Sequence, residues 1–240
     1  MRRSMFGWVL FAIGLSQAHA AMQAKPVEWK VGGDTFSGYL VYDDTNAIKR
    51  PGVVMVPDWY GVTPGAIEKA KHIAGDDYVV LVADMYGKGK QPKGDDDARA
   101  LTKSLYDDRA RLRARASKAL EVLRTAKDVP TDGKHFGAIG YCFGGATALE
   151  LARSGADIDA VATFHGGLAT SMPAKPGTVK ASVLVLNGAD DQGTKGDIPA
   201  FENEMNAAKV DWQFVNFSGA VHCFALPEAN KPPGLSLIHI

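Results

Sequence analysis

A chain of 240 residues, 46% apolar and 22% charged, is long and apolar enough to bury the core of one large α/β domain. Lys and Arg number 27 and so do Asp and Glu, which argues against a basic nucleic-acid binder and against an acidic disordered chain. Two cysteines exclude a disulfide framework and a Cys-rich zinc site. The chain starts with Arg2-Arg3, an apolar run from Phe6 to Leu15, and the small residues Ala18 and Ala20. That order predicts a secretory leader over residues 1–20, cleaved after Ala20, because the apolar run is too short to span a bilayer. Its removal makes the chain two charges more negative and places the remainder in the periplasm or outside the cell, with no membrane segment.

Val27 to Val31 and Thr35 to Tyr42 alternate apolar and polar around Gly32-Gly33-Asp34, the pattern of a β-hairpin. Gly52 to Pro57 and Tyr78 to Ala83 are short continuous apolar runs, as strands buried on both faces require. Between them, Pro64 to Ala74 carries helical spacing with Pro near its start. Asp95 to Lys127 is a charged helical stretch, continuous or broken near Asp107-Asp108, whose alternating charges read as a solvated face. His135 to Tyr141, Ala160 to Phe164, Ser182 to Leu186 and Trp212 to Phe217 are further strands. Gly144 to Ser154 and Ile198 to Ala208 are helices. This alternation predicts one α/β domain over residues 21–234, a three-layer α/β/α sandwich on a mostly parallel sheet. Leu235 to Ile240 reads as translated transposon-end sequence from library preparation, so the natural chain is expected to run on past Gly234.

The segment with chemistry in it is Gly140-Tyr141-Cys142-Phe143-Gly144-Gly145, which joins a buried strand directly to a small-residue helix. This is the context of a G-x-nucleophile-x-G elbow of the α/β-hydrolase type. Small flanking residues permit a sharp turn, and a helix N-terminus favours the thiolate, the reactive form of cysteine. The N–H of Phe143 then faces a developing oxyanion. A thiol nucleophile needs a base and an orienting acid, and in this architecture they follow in the order nucleophile, acid, base. Asp190 and Asp191 follow the Ser182 to Leu186 strand, and His222 follows the last strand. His165, after the Ala160 to Phe164 strand, precedes the acids and is expected to line the pocket. Trp59 and Tyr60 are expected in the core or the pocket wall, and Cys223 as a small residue packed away from the site.

These residues together resemble the dienelactone hydrolase family: G-Y-C-F-G-G around Cys142, N-G-A-D-D ending at Asp191, V-H-C-F around His222, V-P-D-W-Y-G from Val56 to Gly61, and A-D-M-Y-G from Ala83 to Gly87. The resemblance covers Val27 to Pro233. It implies a Cys142-His222-Asp191 triad that hydrolyses a small-molecule ester or lactone through a thioester, with no metal or organic cofactor. Of the two acids it selects Asp191, and it places the Trp59 N–H beside that of Phe143 in the oxyanion hole. The family's best-studied enzymes carry a glutamate, linked to thiol activation, where this chain has the shorter Asp58. The competing expectation is a non-catalytic, small-molecule-binding member of the same fold.

Overall fold

A computed structural model describes residues 22–226. The predicted leader, the 235–240 tail, His19 and His239 lie outside the described residues. The hairpin forms as expected. β1 (Met22–Val31) pairs antiparallel with β2 (Asp34–Asp43), in register from Val31 opposite Asp34 to Met22 opposite Asp43. Gly32 makes the turn at φ +58°, a conformation that costs other residues energy. The cross-strand pair Trp29 and Phe36 stacks at 6.1 Å, closing the hairpin's inner face over the core.

The remaining strands are β3 (Arg50–Val56), β4 (Val79–Val82), β5 (Thr131–Tyr141), β6 (Ala160–Phe164), β7 (Ser182–Gly188) and β8 (Trp212–Phe217). They join the hairpin in one eight-stranded sheet of order β1-β2-β4-β3-β5-β6-β7-β8. β2 meets β4 antiparallel, and every later pairing is parallel. Parallel neighbours need crossovers, supplied here by α1 (Pro64–Ala74), α2 (Asp95–Tyr106), α3 (Arg109–Thr125), α4 (Phe143–Arg153) and α5 (Ile198–Ala207). The Thr63 hydroxyl accepts the Ala66 N–H at the start of α1, and Pro64 follows at the first helical position, where a missing N–H costs nothing.

Alternation along each strand sends side chains to two layers. Val54 and Val56 of β3, with Leu81, Ala138, Val161, Val183 and Val185, pack against Leu112, Leu120 and Leu123 of α3, Leu149 and Leu151 of α4, and Phe201 and Met205 of α5. Met55, Val80, Val82 and Val41 face the other way, onto Ala70 and Ala74 of α1. On that same face, toward the N-terminal ends of β5 to β8, an apolar groove of about 660 Å³ is lined by Val53, Ile139, Ala162 and Leu184. Among the described residues no helix is long and apolar enough to cross a membrane.

The charged stretch breaks where expected: α2 ends at Tyr106, and the Asp108 carboxylate accepts the Arg111 N–H to start α3. Its charges are not all solvated, which corrects the sequence expectation. Arg115 is buried and donates to the Met85 carbonyl at 2.7 Å. Arg113 reaches the fully buried Glu150 at 2.8 Å, and Glu150 also holds Arg153, which in turn pairs with Glu204. Buried charges persist only when paired this way. These ion pairs tie α3, α4 and α5 together.

Candidate active site

The site is assembled at the C-terminal ends of the central strands. Cys142 links β5 to α4 with φ +54° and ψ −116°, a conformation that costs a non-glycine residue about 1–3 kcal/mol. Its surroundings force it. A Cβ on Gly140 would meet the Gly144 carbonyl oxygen at 2.0 Å, and one on Gly144 would meet the Val56 carbonyl oxygen at 2.0 Å. Only glycines let the strand and the helix approach so closely. The Cys142 N–H donates to the Phe164 carbonyl at 3.0 Å, pinning the turn to β6. Phe143 opens α4, so its N–H has no acceptor within the helix.

His222 stands in the loop after β8, with Nε2 3.2 Å from Cys142 Sγ. Its Nδ1 lies 2.8 Å from Asp191 Oδ2, in the loop after β7. Asp191 is 2% exposed, and its other oxygen accepts the Gly193 N–H at 2.8 Å. Asp190 is exposed. Burial works to raise the Asp191 pKa, but the bond to His222 and the Gly193 N–H outweigh it and the net shift is downward. The His222 pKa is pushed up to about 12, first by Asp191, then by Cys142, then by Cys223. Both cysteines are free thiols.

His165 is fully buried at φ +42°, its backbone N–H held by the Leu186 carbonyl. Its ring sits edge-on to His222 at 5.1 Å and to Phe224 at 5.6 Å. Burial, then the neighbouring His222, push its pKa down to about 3, so it is neutral. Asp58 accepts the Tyr60 N–H at 2.9 Å and holds the 58–60 turn. Trp59 lies in that turn, with Tyr60 edge-on at 5.5 Å. Tyr60 itself is exposed, and its hydroxyl is hydrogen-bonded to Asp95, so it belongs to the rim.

Sequence reasoning missed Tyr86. Its hydroxyl donates to the Trp59 carbonyl at 2.9 Å, and its ring stacks on Phe143 at 5.5 Å. One side chain therefore sets the positions of both residues expected to line the oxyanion hole. The signal was present in the A-D-M-Y-G segment, where a tyrosine follows a buried strand, but nothing local says what it touches. Tyr106, tilted against Phe143 at 5.7 Å, is the second omission, and no motif marks it.

A mostly parallel sheet that presents a cysteine on a strained strand-to-helix turn, beside a histidine and an aspartate from two later loops, defines an α/β-hydrolase. The dienelactone hydrolase family model matches residues 36–234, and the chain belongs to that family. It is a hydrolase of the ester- and lactone-cleaving kind. The structure is similar to that of m3DLH, at 38% identity with a TM-score of 0.82 and 90% of each chain covered. It is also similar to the dienelactone hydrolase-like promiscuous phosphotriesterase P91 from metagenomic libraries, at 38% identity with a TM-score of 0.80 and 87% of each chain covered. Carboxymethylenebutenolidase of Rhodococcus opacus is 27% identical over 194 residues, covering 75% of this chain and 73% of that protein.

Proposed function

We propose that this protein hydrolyses small carboxylic esters or lactones through a thioester on Cys142, with His222 as base and Asp191 as its orienting acid. The observation that carries the reading is the His222 imidazole, held between Cys142 Sγ at 3.2 Å and Asp191 Oδ2 at 2.8 Å. Nucleophile, base and orienter within hydrogen-bond reach are what acyl transfer to a thiol demands.

His222 takes the Cys142 proton, and the thiolate attacks the carbonyl carbon. The N–H groups of Phe143 and Trp59 receive the oxyanion, and a donor of this kind is worth about 3–4 kcal/mol in other hydrolases. Collapse expels the alkoxide, which takes the proton from His222. Water then gives a proton to His222 and attacks the thioester, and the departing Cys142 sulfur recovers that proton. Asp191 holds one tautomer of His222 throughout. Asp58 holds the Trp59 turn through its bond to the Tyr60 N–H. His165 forms the buried wall behind His222.

The test is hydrolysis of p-nitrophenyl acetate and of small lactones, with mass spectrometry of the quenched enzyme. An acyl adduct on the peptide containing Cys142 is expected. A Cys142→Ala variant that turns over at the wild-type rate would overturn the reading and leave the non-catalytic binder in its place. Export rests on the 1–20 leader and is checked by fractionation, with Ala21 expected as the N-terminus of the exported form.

A further inference from the structure

We propose that Cys142, His165 and His222 form a binding site for a thiophilic divalent cation of the zinc class, and that the bound ion reversibly switches off the hydrolase. The inhibitory half rests on the proposed role of Cys142; the binding half does not.

Three observations carry it. One ligand atom from each of the three residues lies within 4.8 Å of the other two. Thiolate and imidazole are the donors that zinc-class ions prefer. In a tetrahedral zinc site with bonds of about 2.0–2.3 Å, neighbouring donors stand about 3.5 Å apart. Cys142 Sγ and His222 Nε2, at 3.2 Å, stand close to that spacing, and the His165 nitrogen, within 4.8 Å of its neighbours, needs to move in by about 1.3 Å at most.

The second observation is His165 itself. It is fully buried, yet neither ring nitrogen has a hydrogen-bond partner. A buried imidazole left so costs stability. Its strained backbone, φ +42°, holds the ring beside His222. An unpartnered lone pair held there, near a thiol, is placed to bind a metal ion.

The third is Asp191. By accepting from Nδ1 of His222 it leaves Nε2 facing the cluster. The same carboxylate–imidazole pairing orients the histidine ligands of metal sites. His222 keeps 43% of its side chain exposed, so an ion reaches the cluster from solvent and a water completes its fourth position. Binding forms metal bonds to Sγ, Nε2 and a His165 nitrogen and expels to solvent the proton shared between Cys142 and His222. Sulfur and base are then both occupied, and attack on a carbonyl stops.

The test uses the whole chain, stripped with EDTA and titrated with Co²⁺. A thiolate-to-cobalt charge-transfer band is expected to saturate at one equivalent and to be displaced by Zn²⁺. Hydrolysis of p-nitrophenyl acetate is expected to fall at least tenfold at saturating Zn²⁺ and to return with EDTA. Cys142→Ser removes the band and Cys223→Ala keeps it. By calorimetry, His165→Asn weakens Zn²⁺ binding by about tenfold or more. X-ray absorption of the wild-type zinc form reports one sulfur and two imidazoles, which decides the matter if His165→Asn fails to fold. No band, a band lost in Cys223→Ala in place of Cys142→Ser, undiminished binding to a folded His165→Asn, or a single imidazole would each overturn the site. Binding without any hydrolysis by the stripped enzyme would instead sink the hydrolase reading and its inhibition, leaving the cation site. Hydrolysis without binding does the reverse.

Discussion

Cys142 and His222 lie eighty positions apart in the chain, and their side chains meet at 3.2 Å. Nothing near either residue in sequence requires this; the parallel sheet does, by delivering the loops after β5 and β8 to one edge. Cys142→Ser keeps the turn but replaces the thiol with a hydroxyl that ionises far less readily. Its kcat/KM for p-nitrophenyl acetate is expected to fall by about 10³-fold or more, with the melting temperature nearly unchanged.

Asp191→Asn leaves a residue of the same shape against His222 but removes the charge that selects its tautomer. A fall in kcat of about 10⁴-fold is expected, with substrate affinity largely kept. Asp190→Asn, at the exposed neighbour, is expected to change kcat by less than about twofold. Steady-state kinetics of the pair decides between the two acids.

Tyr86→Phe deletes the hydroxyl that holds the Trp59 carbonyl but keeps the ring on Phe143. Loss of one hydrogen bond costs about 1 kcal/mol of stability. If Tyr86 positions the Trp59 N–H for an oxyanion, kcat falls about tenfold while KM barely moves. A purely structural role would lower the urea midpoint and leave kcat alone.

Gly144→Ala places a methyl group 2.0 Å from the Val56 carbonyl oxygen and 2.3 Å from that of Pro57. Both are backbone atoms of β3 and its end, so neither can swing aside. A loss of about 3 kcal/mol in urea unfolding is expected, with kcat falling alongside as the elbow deforms.

The irregular start of β5 gives a pH-dependent term. Arg50 pairs with Thr131 and Gly52 with Phe136, so β5 bulges between them. Burial works to raise the Asp132 pKa, but the N–H groups of His135 and Lys134 and the His135 ring outweigh it, bringing it down to about 2. The bond to Asp132 raises the His135 pKa in return. The depressed acid contributes stability that is present above its unfolded pKa, near 4, and is lost as pH falls through about 2. The raised histidine contributes below its unfolded value, about 6.5, and loses this as pH rises through its folded one. Thermal melts of wild type and Asp132→Asn are therefore expected to differ most near pH 5 and to converge below about pH 2.

Local rules made much of this molecule legible in its residues. Apolar runs and helical spacing marked the strands and helices, Pro64 marked a helix start, Asp107-Asp108 marked a break, and the glycines around Cys142 marked an elbow, because steric exclusion and periodicity act over a few positions. Tertiary packing settled the rest. It set the strand order, turned Arg113 and Arg115 inward to Glu150 and the Met85 carbonyl, buried His165 without a partner, and joined Tyr86 to Trp59. Those outcomes depend on which distant surfaces share a volume, and burial, pairing and desolvation are properties of that volume, not of any stretch of chain.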